Sequence, residues 1–312
     1  MRCRSANASL KSTTMSKIGY LPFRDSDEMA ATCRRTLDIP RSAAAELGRS
    51  ALRSIRDGSF TTPTGKEVQW SRLINQACDE KRSIGPDNAL PHIVQEQFEV
   101  TKVQVANETT LEAARSLVTK GMRPLALNFA NGVHPGGGFL RGARAQEEVL
   151  CRSSALFKTL EGDRMYAAHR LRSRPDSTDW TILSQSVPVF RMDDGVELEV
   201  PWLLSVITCA APVAHRIGQP EAGDLLQQRI RRVLAIAQAF GYTTLVLGAW
   251  GCGAFGNDAR RTAIDFRSAI EGEFLGAFQN IVFAITDWSV ERKFLGPFRD
   301  VLAPRGAHGV GV

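Results

Sequence analysis

Two runs near the carboxyl end, TTLVLGAW (243–250) and NIVFAITD (280–287), are almost continuously apolar, and segments of helical periodicity bound them. A strand with one wet face alternates apolar and polar residues, whereas a strand covered on both faces need not. These runs therefore require helices on both sides of a sheet, and the rest of the chain supplies them. PLALNFA (124–130), TILSQSVPVFR (181–191) and LLSVITCAA (203–211) read as further strands, and residues 92–107 as a partly alternating one. TTLEAARSLVTKG, EEVLCRSSALFKTL, AGDLLQQRIRRVLAIAQAFG and DARRTAIDFRSAIEG carry helical spacing, and VERKFLGPF suggests a closing helix. The fold class is α/β, a mixed, mostly parallel sheet with helices on both faces. Residues 25–58 read as two helices broken at Pro40, with Ser26 or Asp25 as the first cap, forming an N-terminal helical cap. No internal repeat or long linker divides the chain. Residues 18–312 are expected to form one domain, with a helical extension at about 25–58, a turn-rich link, and a core at about 92–290.

Composition narrows the function. The six cysteines form no CxxC pair and stand apart from the five histidines, so neither a disulfide framework nor a metal site is expected. A reducing cytoplasm fits that usage, and no apolar run is long enough to span a membrane. The net charge of +6 favours an anionic partner, but the arginines are scattered through helices as on a solvated face, so direct nucleic-acid binding is not expected. Residues 1–17 are basic, Ser/Thr-rich and free of acid. They read as a disordered tail before an alternative start at Met15, with organelle targeting as the other reading of that composition.

Two glycine-rich loops follow strands and precede helices. Gly136, Gly137 and Gly138 come after Pro135, and three missing side chains let a backbone take positive φ and let its amides approach a ligand. A tight turn needing glycine for its own geometry is the plainer account. The second loop, GAWGCGAFGND, places Gly251, Gly253 and Gly256 in the G-x-G-x-x-G spacing of a dinucleotide-binding turn. Only one further strand follows it, which argues against a nicotinamide-dependent dehydrogenase, since that fingerprint normally opens a half with several strands. A diphosphate cradle with Phe255 packing on a sugar or ring is the better reading, with core-packing glycines as the plain one. Two such loops at the carboxyl ends of different strands describe a cleft for a ligand with a diphosphate and riboses.

Seven residues after the first loop stand Gln146, Glu147 and Glu148, at a helix start. Acids in a first helical turn complement the helix dipole, which is sufficient reason for one glutamate. Adjacent helical residues point about 100° apart, so these two cannot face each other across a bond as ordinary glycosidase acids do. Their roles must differ: one can hold ribose hydroxyls while the other meets a glycosidic oxygen.

GGG, seven residues, then QEE resembles the signature of the poly(ADP-ribose) glycohydrolases. PGGGFLRGARAQEE, QEEVLCRSSALF, VPVFRMDDG, VITCAAP, LVLGAWGCGAFGND and IVFAITD are similar to successive blocks of the microbial-type branch, in order, across about residues 25–290. The resemblance implies a macrodomain-like fold and exo-acting, cofactor-free and metal-free hydrolysis of ribose–ribose O-glycosidic bonds, releasing ADP-ribose. It makes Glu148 the general acid and base and Glu147 the ribose-binding acid, with Gln146 beside them as a substrate-binding residue. Gly136, Gly137 and Gly138 become the catalytic loop around the diphosphate and distal ribose, and Asn131 the asparagine upstream of it. Gly251, Cys252, Gly253, Ala254, Phe255 and Gly256 become the second diphosphate loop. The chain departs from the branch at Val213, where asparagine is common, and at Gly256, where arginine is common. The expected partners are poly(ADP-ribose) or ADP-ribosylated proteins, with the chain a cytoplasmic monomer serving ADP-ribosylation reversal in the DNA damage response. The alternatives are a mono-ADP-ribose hydrolase on protein or nucleic-acid adducts, and a non-catalytic ADP-ribose-binding macrodomain, against which both intact acids tell.

Overall fold

A computed structural model describes residues 17–92 and 97–303. The expected tail lies outside the described residues except for Lys17, which opens a strand rather than closing a tail. The amino-terminal part comprises β1 (Lys17–Tyr20), α1 (Asp27–Leu37) and α2 (Arg41–Asp57). The Ser26 hydroxyl caps α1 by accepting from the Met29 amide, and Pro40 separates the two helices because it cannot continue a helical ladder. What reads as a turn-rich link holds a hairpin of β2 (Ser59–Thr61) and β3 (Glu67–Gln69), then α3 (Ser71–Glu80) and β4 (Arg82–Ile84). Three-residue strands carry too little periodicity to stand out in a sequence.

The central part runs β5 (Val100–Ala106), α4 (Thr110–Thr119), β6 (Pro124–Ala130), α5 (Gln146–Ser153), α6 (Leu156–Leu160), α7 (Arg164–Arg170), β7 (Thr181–Arg191) and β8 (Glu197–Ala210). Thr109 and Glu112 close a full capping box on α4. The single helix expected over EEVLCRSSALFKTL is two, because Ser154 bridges to Val189 and the Ala155 amide donates to the Pro188 carbonyl, taking the backbone out of the helical ladder. The carboxyl part adds α8 (Ala214–Ile217), α9 (Glu221–Ala239), β9 (Thr244–Leu247), α10 (Ala259–Glu271), β10 (Asn280–Ala284) and α11 (Leu295–Val301). The closing helix starts only at Leu295, where Asp287 Oδ2 accepts from the Phe294 and Leu295 amides at 2.7 and 3.1 Å.

The eight-stranded sheet has the order β1-β5-β10-β9-β6-β8-β7-β4. Every neighbour pair from β1 to β8 is parallel, and β7 and β4 close the edge antiparallel. Alternate side chains of β6 feed two cores: Leu125 and Leu127 pack with Ile230, Val233 and Phe266 from α9 and α10, while Ala126 packs with Leu111, Leu150 and Leu156 from α4, α5 and α6. Because β6 and β9 are parallel neighbours, the loops that follow them leave the same edge of the sheet side by side. No helix among the described residues is long and apolar enough to cross a membrane.

The amino-terminal helices do more than cover the domain. A Cβ on Gly48 of α2 would lie 2.5 Å from the Phe139 carbonyl oxygen, and one on Gly142 would overlap the Arg41 carbonyl oxygen. Arg144 bonds Asp38 at 2.6 Å and the Ile39 carbonyl at 2.9 Å. Backbone thus meets backbone where α2 presses on the segment between the first glycine loop and α5.

Candidate active site

The two adjacent acids begin α5, pointing back toward the end of β6. Gln146 ties the helix to that strand: its Oε1 accepts from the Phe129 amide at 2.9 Å, and its Nε2 donates to the Leu127 carbonyl and Thr110 Oγ1 at 2.7 and 3.1 Å. Its amide is therefore engaged by protein groups, although it also lines the cleft. Glu147 is buried, and its Oε2 accepts from the Asn131 amide at 2.7 Å. Burial is the main cause that pushes its carboxyl up to about 8; the Asn131 amide opposes this and neighbouring Glu148 adds to it. Asn131 also shapes the turn, since its Oδ1 accepts from the Val133 and His134 amides, each at 2.9 Å.

Glu148 Oε1 accepts from the Gly138 amide at 2.9 Å, while its Oε2 is buried without a hydrogen-bond partner among the described residues. The first glycine loop earns its composition here. Gly136 and Gly137 have φ of +69° and +57°, a region costly for other residues, whereas Gly138 does not need it. A Cβ on Gly137 would overlap Glu148 Oε1 and come within 3.1 Å of Glu147 Oε2. This corrects the expectation of a loop whose amides are open to a ligand: Gly138 donates to Glu148, and Gly137 donates to the His134 carbonyl at 3.0 Å. The loop approaches the carboxylates closely and leaves Glu148 one uncommitted oxygen.

The second loop has the open amides. No hydrogen bond among the described residues uses the backbone N–H of Gly253, Ala254 or Phe255, and all three residues line a cavity of about 230 Å³ together with Asn131, Glu147 and Glu148. A Cβ on Gly253 would meet nothing within 4 Å, so this glycine keeps the cavity clear rather than satisfying local packing. Gly251 is different: φ is +75°, and a Cβ would lie 2.6 Å from Asn257 Nδ2 and 2.7 Å from Ala211 Cβ. Half-buried Phe255 forms part of the cavity wall. Cys252 and Gly256 do not. The Cys252 thiol faces Thr262 Oγ1 of α10 at 3.6 Å, with burial pushing it up to about 12, and Gly256 packs beside His215.

A second cavity of about 200 Å³ adjoins the first, sharing Phe129, Ala145, Gln146, Ala249 and Gly253. Its wall includes Leu37, Glu108, Asp193, Trp288 and Phe294, none of them singled out by the sequence reading. Burial raises both acids, Asp193 to about 7, against its hydrogen bond from Thr109 Oγ1 at 2.6 Å. The paired aspartates of RMDDG were the available signal for Asp193, but only the fold brings that turn to the end of β5.

The site therefore offers one uncommitted carboxyl oxygen, a second acid whose carboxyl burial pushes up to about 8, and three consecutive free amides suited to an anion. Comparison with known proteins agrees. The family described as microbial-type PARG, catalytic domain, matches residues 48–192. Among solved structures, the poly(ADP-ribose) glycohydrolase of Thermomonospora curvata is 36% identical with a TM-score of 0.78, the match covering 83% of this chain and 99% of that one. A second T. curvata structure, bound to the inhibitor ADP-HPD, matches at 36% identity and a TM-score of 0.76 over 83% of this chain and 99% of that one. The Deinococcus radiodurans enzyme in complex with ADP-ribose is 36% identical, TM-score 0.67, covering 75% and 98%. Among curated proteins none matches. With a site of this construction and identity at that level across nearly the whole of those enzymes, the chain belongs to the microbial-type poly(ADP-ribose) glycohydrolase family.

Proposed function

We propose that this chain hydrolyses the ribose–ribose O-glycosidic bonds of poly(ADP-ribose), with Glu148 as general acid and then base. The observation that carries the proposal is the Glu148 carboxyl itself: the Gly138 amide engages one oxygen, and the other is buried with no hydrogen-bond partner among the described residues. A proton on Oε2 passes to the bridging oxygen as the bond to the anomeric carbon breaks, so the leaving ribose departs as a neutral alcohol. Positive charge develops on the sugar carbon and ring oxygen. Water then adds to that carbon and returns a proton to Oε2, restoring the acid. Glu147, adjacent but turned toward Asn131, holds ribose hydroxyls. The free amides of Gly253, Ala254 and Phe255 hold the diphosphate, whose charge lies near the developing cation. The adjoining cavity takes the adenosine end. That ligands of this class bind family members in the D. radiodurans complex with ADP-ribose and the T. curvata complex with ADP-HPD supports this assignment. Release of ADP-ribose from the chain end is the mode we adopt, as the microbial branch implies.

The test is incubation with poly(ADP-ribose) and with mono-ADP-ribosylated protein side by side, resolving free ADP-ribose from oligomers. Wild type is expected to release ADP-ribose from the polymer. Glu148→Gln should lower kcat by about 100-fold or more while ADP-ribose affinity stays within about tenfold, because it removes the transferable proton and little else. More than a few per cent of wild-type kcat in that variant would overturn the role of Glu148, and release from the mono-modified protein alone would overturn the substrate.

A further inference from the structure

A buried acid that gives up its proton is left as a buried anion, and its surroundings must stabilise that charge as the bond breaks. Around Glu148 the hydrogen bonds that could do so are few: the Gly138 amide donates to Oε1, and Oε2 has no partner among the described residues. The adjacent Glu147 carboxyl is a like group, and each disfavours charge on the other. A countercharge has to come from elsewhere, and the helix that carries Glu148 holds one.

Arg152 lies four residues after Glu148 in α5, one turn on and on the same face, and helical side chains lean toward the amino-terminal end of their helix. It is 1% exposed, and neither Nη1 nor Nη2 has a hydrogen-bond partner among the described residues. Burial pulls its guanidinium down, and the charges of Asp193 and then Glu148 oppose that pull. The other guanidiniums near it are neutralised. Arg144 pairs with Asp38. Arg191 donates to Glu197 at 2.5 Å and to Ser50 Oγ at 2.8 Å, and its bond to the Arg152 carbonyl at 3.1 Å fixes the carboxyl end of α5. Arg152 itself forms no ion pair among the described residues. A buried charge without a pair costs stability, and an apolar side chain is tolerated there at least as well. Asp193, the acid it would leave behind, is already pushed up to about 7 by burial and can hold a proton. Arg152 also lines neither cavity, so support for ligand binding does not account for it.

We propose that Arg152 is a positioning residue acting through Glu148: it sets positive charge one helical turn behind the acid and stabilises the carboxylate formed as the proton passes from Oε2 to the bridging oxygen. The proposal rests on the general-acid reading of Glu148 given above. Its test measures kcat on poly(ADP-ribose), calorimetric affinity for ADP-ribose, and Tm for Arg152→Met, Arg152→Gln and Arg152→Lys. Met and Gln remove the charge and keep an unbranched side chain. Both should lower kcat by about tenfold or more, as expected for a unit charge one helical turn away in a protein interior, while ADP-ribose affinity stays within about twofold. Arg152→Met should keep the wild-type Tm or exceed it, and Arg152→Lys should recover most of kcat. If the uncharged variants keep kcat within about twofold of wild type, the charge is idle and the proposal falls. If kcat, affinity and Tm fall together, or if Arg152→Lys is as slow as Arg152→Met, Arg152 serves packing and the proposal falls as well. If Glu148→Gln keeps more than a few per cent of wild-type kcat, the general-acid reading itself fails, which separates the two failures.

Discussion

Replacing Gly137 by alanine separates two reasons for a glycine, and their sizes differ enough to be told apart. The backbone reason is the φ of +57°, which costs an L-residue roughly 1–2 kcal/mol. At roughly 2–4 °C per kcal/mol for a domain of this size, that is a drop of roughly 2–8 °C in Tm, and a protein stable by roughly 5–15 kcal/mol stays folded. The steric reason is that the new methyl would overlap Glu148 Oε1 and lie 3.2 Å from Glu148 Cδ. An ordinary contact is restored only if the carboxylate withdraws by about 1 Å. A displacement of about 1 Å at a reacting group costs on the order of 100-fold in rate. Gly137→Ala is therefore expected to lose about 100-fold in kcat while nearly all of it remains folded at 25 °C. Gly121→Ala is the control, because Gly121 has φ of +79° but a Cβ there would meet nothing within 4 Å. It should show a similar Tm loss and unchanged kcat. The assay is steady-state release of ADP-ribose from polymer alongside thermal unfolding of the same preparations. If Gly137→Ala keeps kcat within about threefold of wild type while Tm falls as in the control, the glycine serves only its turn and the loop does not set the position of Glu148.

The second loop divides in the same way. Gly251→Ala, crowded by Asn257 and Ala211 at positive φ, should destabilise by about 1–3 kcal/mol, whereas Gly253→Ala should leave Tm nearly unchanged and weaken ADP-ribose binding measured by calorimetry, because its methyl enters the cavity. Gly253→Ala binding as tightly as wild type would remove that loop from the diphosphate site. Glu147 predicts a pH effect: its folded value of about 8 lies above the ordinary 4.5, so the native state holds a proton that the unfolded chain has released. Its contribution to stability is complete below about pH 4.5 and is lost as pH rises through about 8, at roughly 1.4 kcal/mol per unit. The Tm of wild type relative to Glu147→Gln should therefore fall from pH 5 to pH 8, and a difference that stays flat over that range would count against a buried, protonated Glu147.

The fold class was legible in the chain because its signals are local. Continuous apolar runs at 243–250 and 280–287 can only be inner strands if helices cover them, and the caps at Ser26 and Thr109 mark helix starts through one side chain and an amide three residues away. The order of the acids and glycines likewise named Glu147, Glu148 and the two loops. Short elements such as β4 and α7 were hidden because a few residues carry no period, and the break at Ser154 was hidden because its cause, pairing with Val189, lies 35 positions away. Which amides are spent was hidden for the same reason. Sequence makes the two glycine loops look like equivalent cradles, yet only packing decides that the first is consumed in placing Glu148 while the second keeps three amides open. Nor does any spacing bring Leu37, Asp193 and Trp288 to one cavity. Local chemistry is written in neighbouring residues, but the committed or free state of a donor depends on what the completed fold sets opposite it.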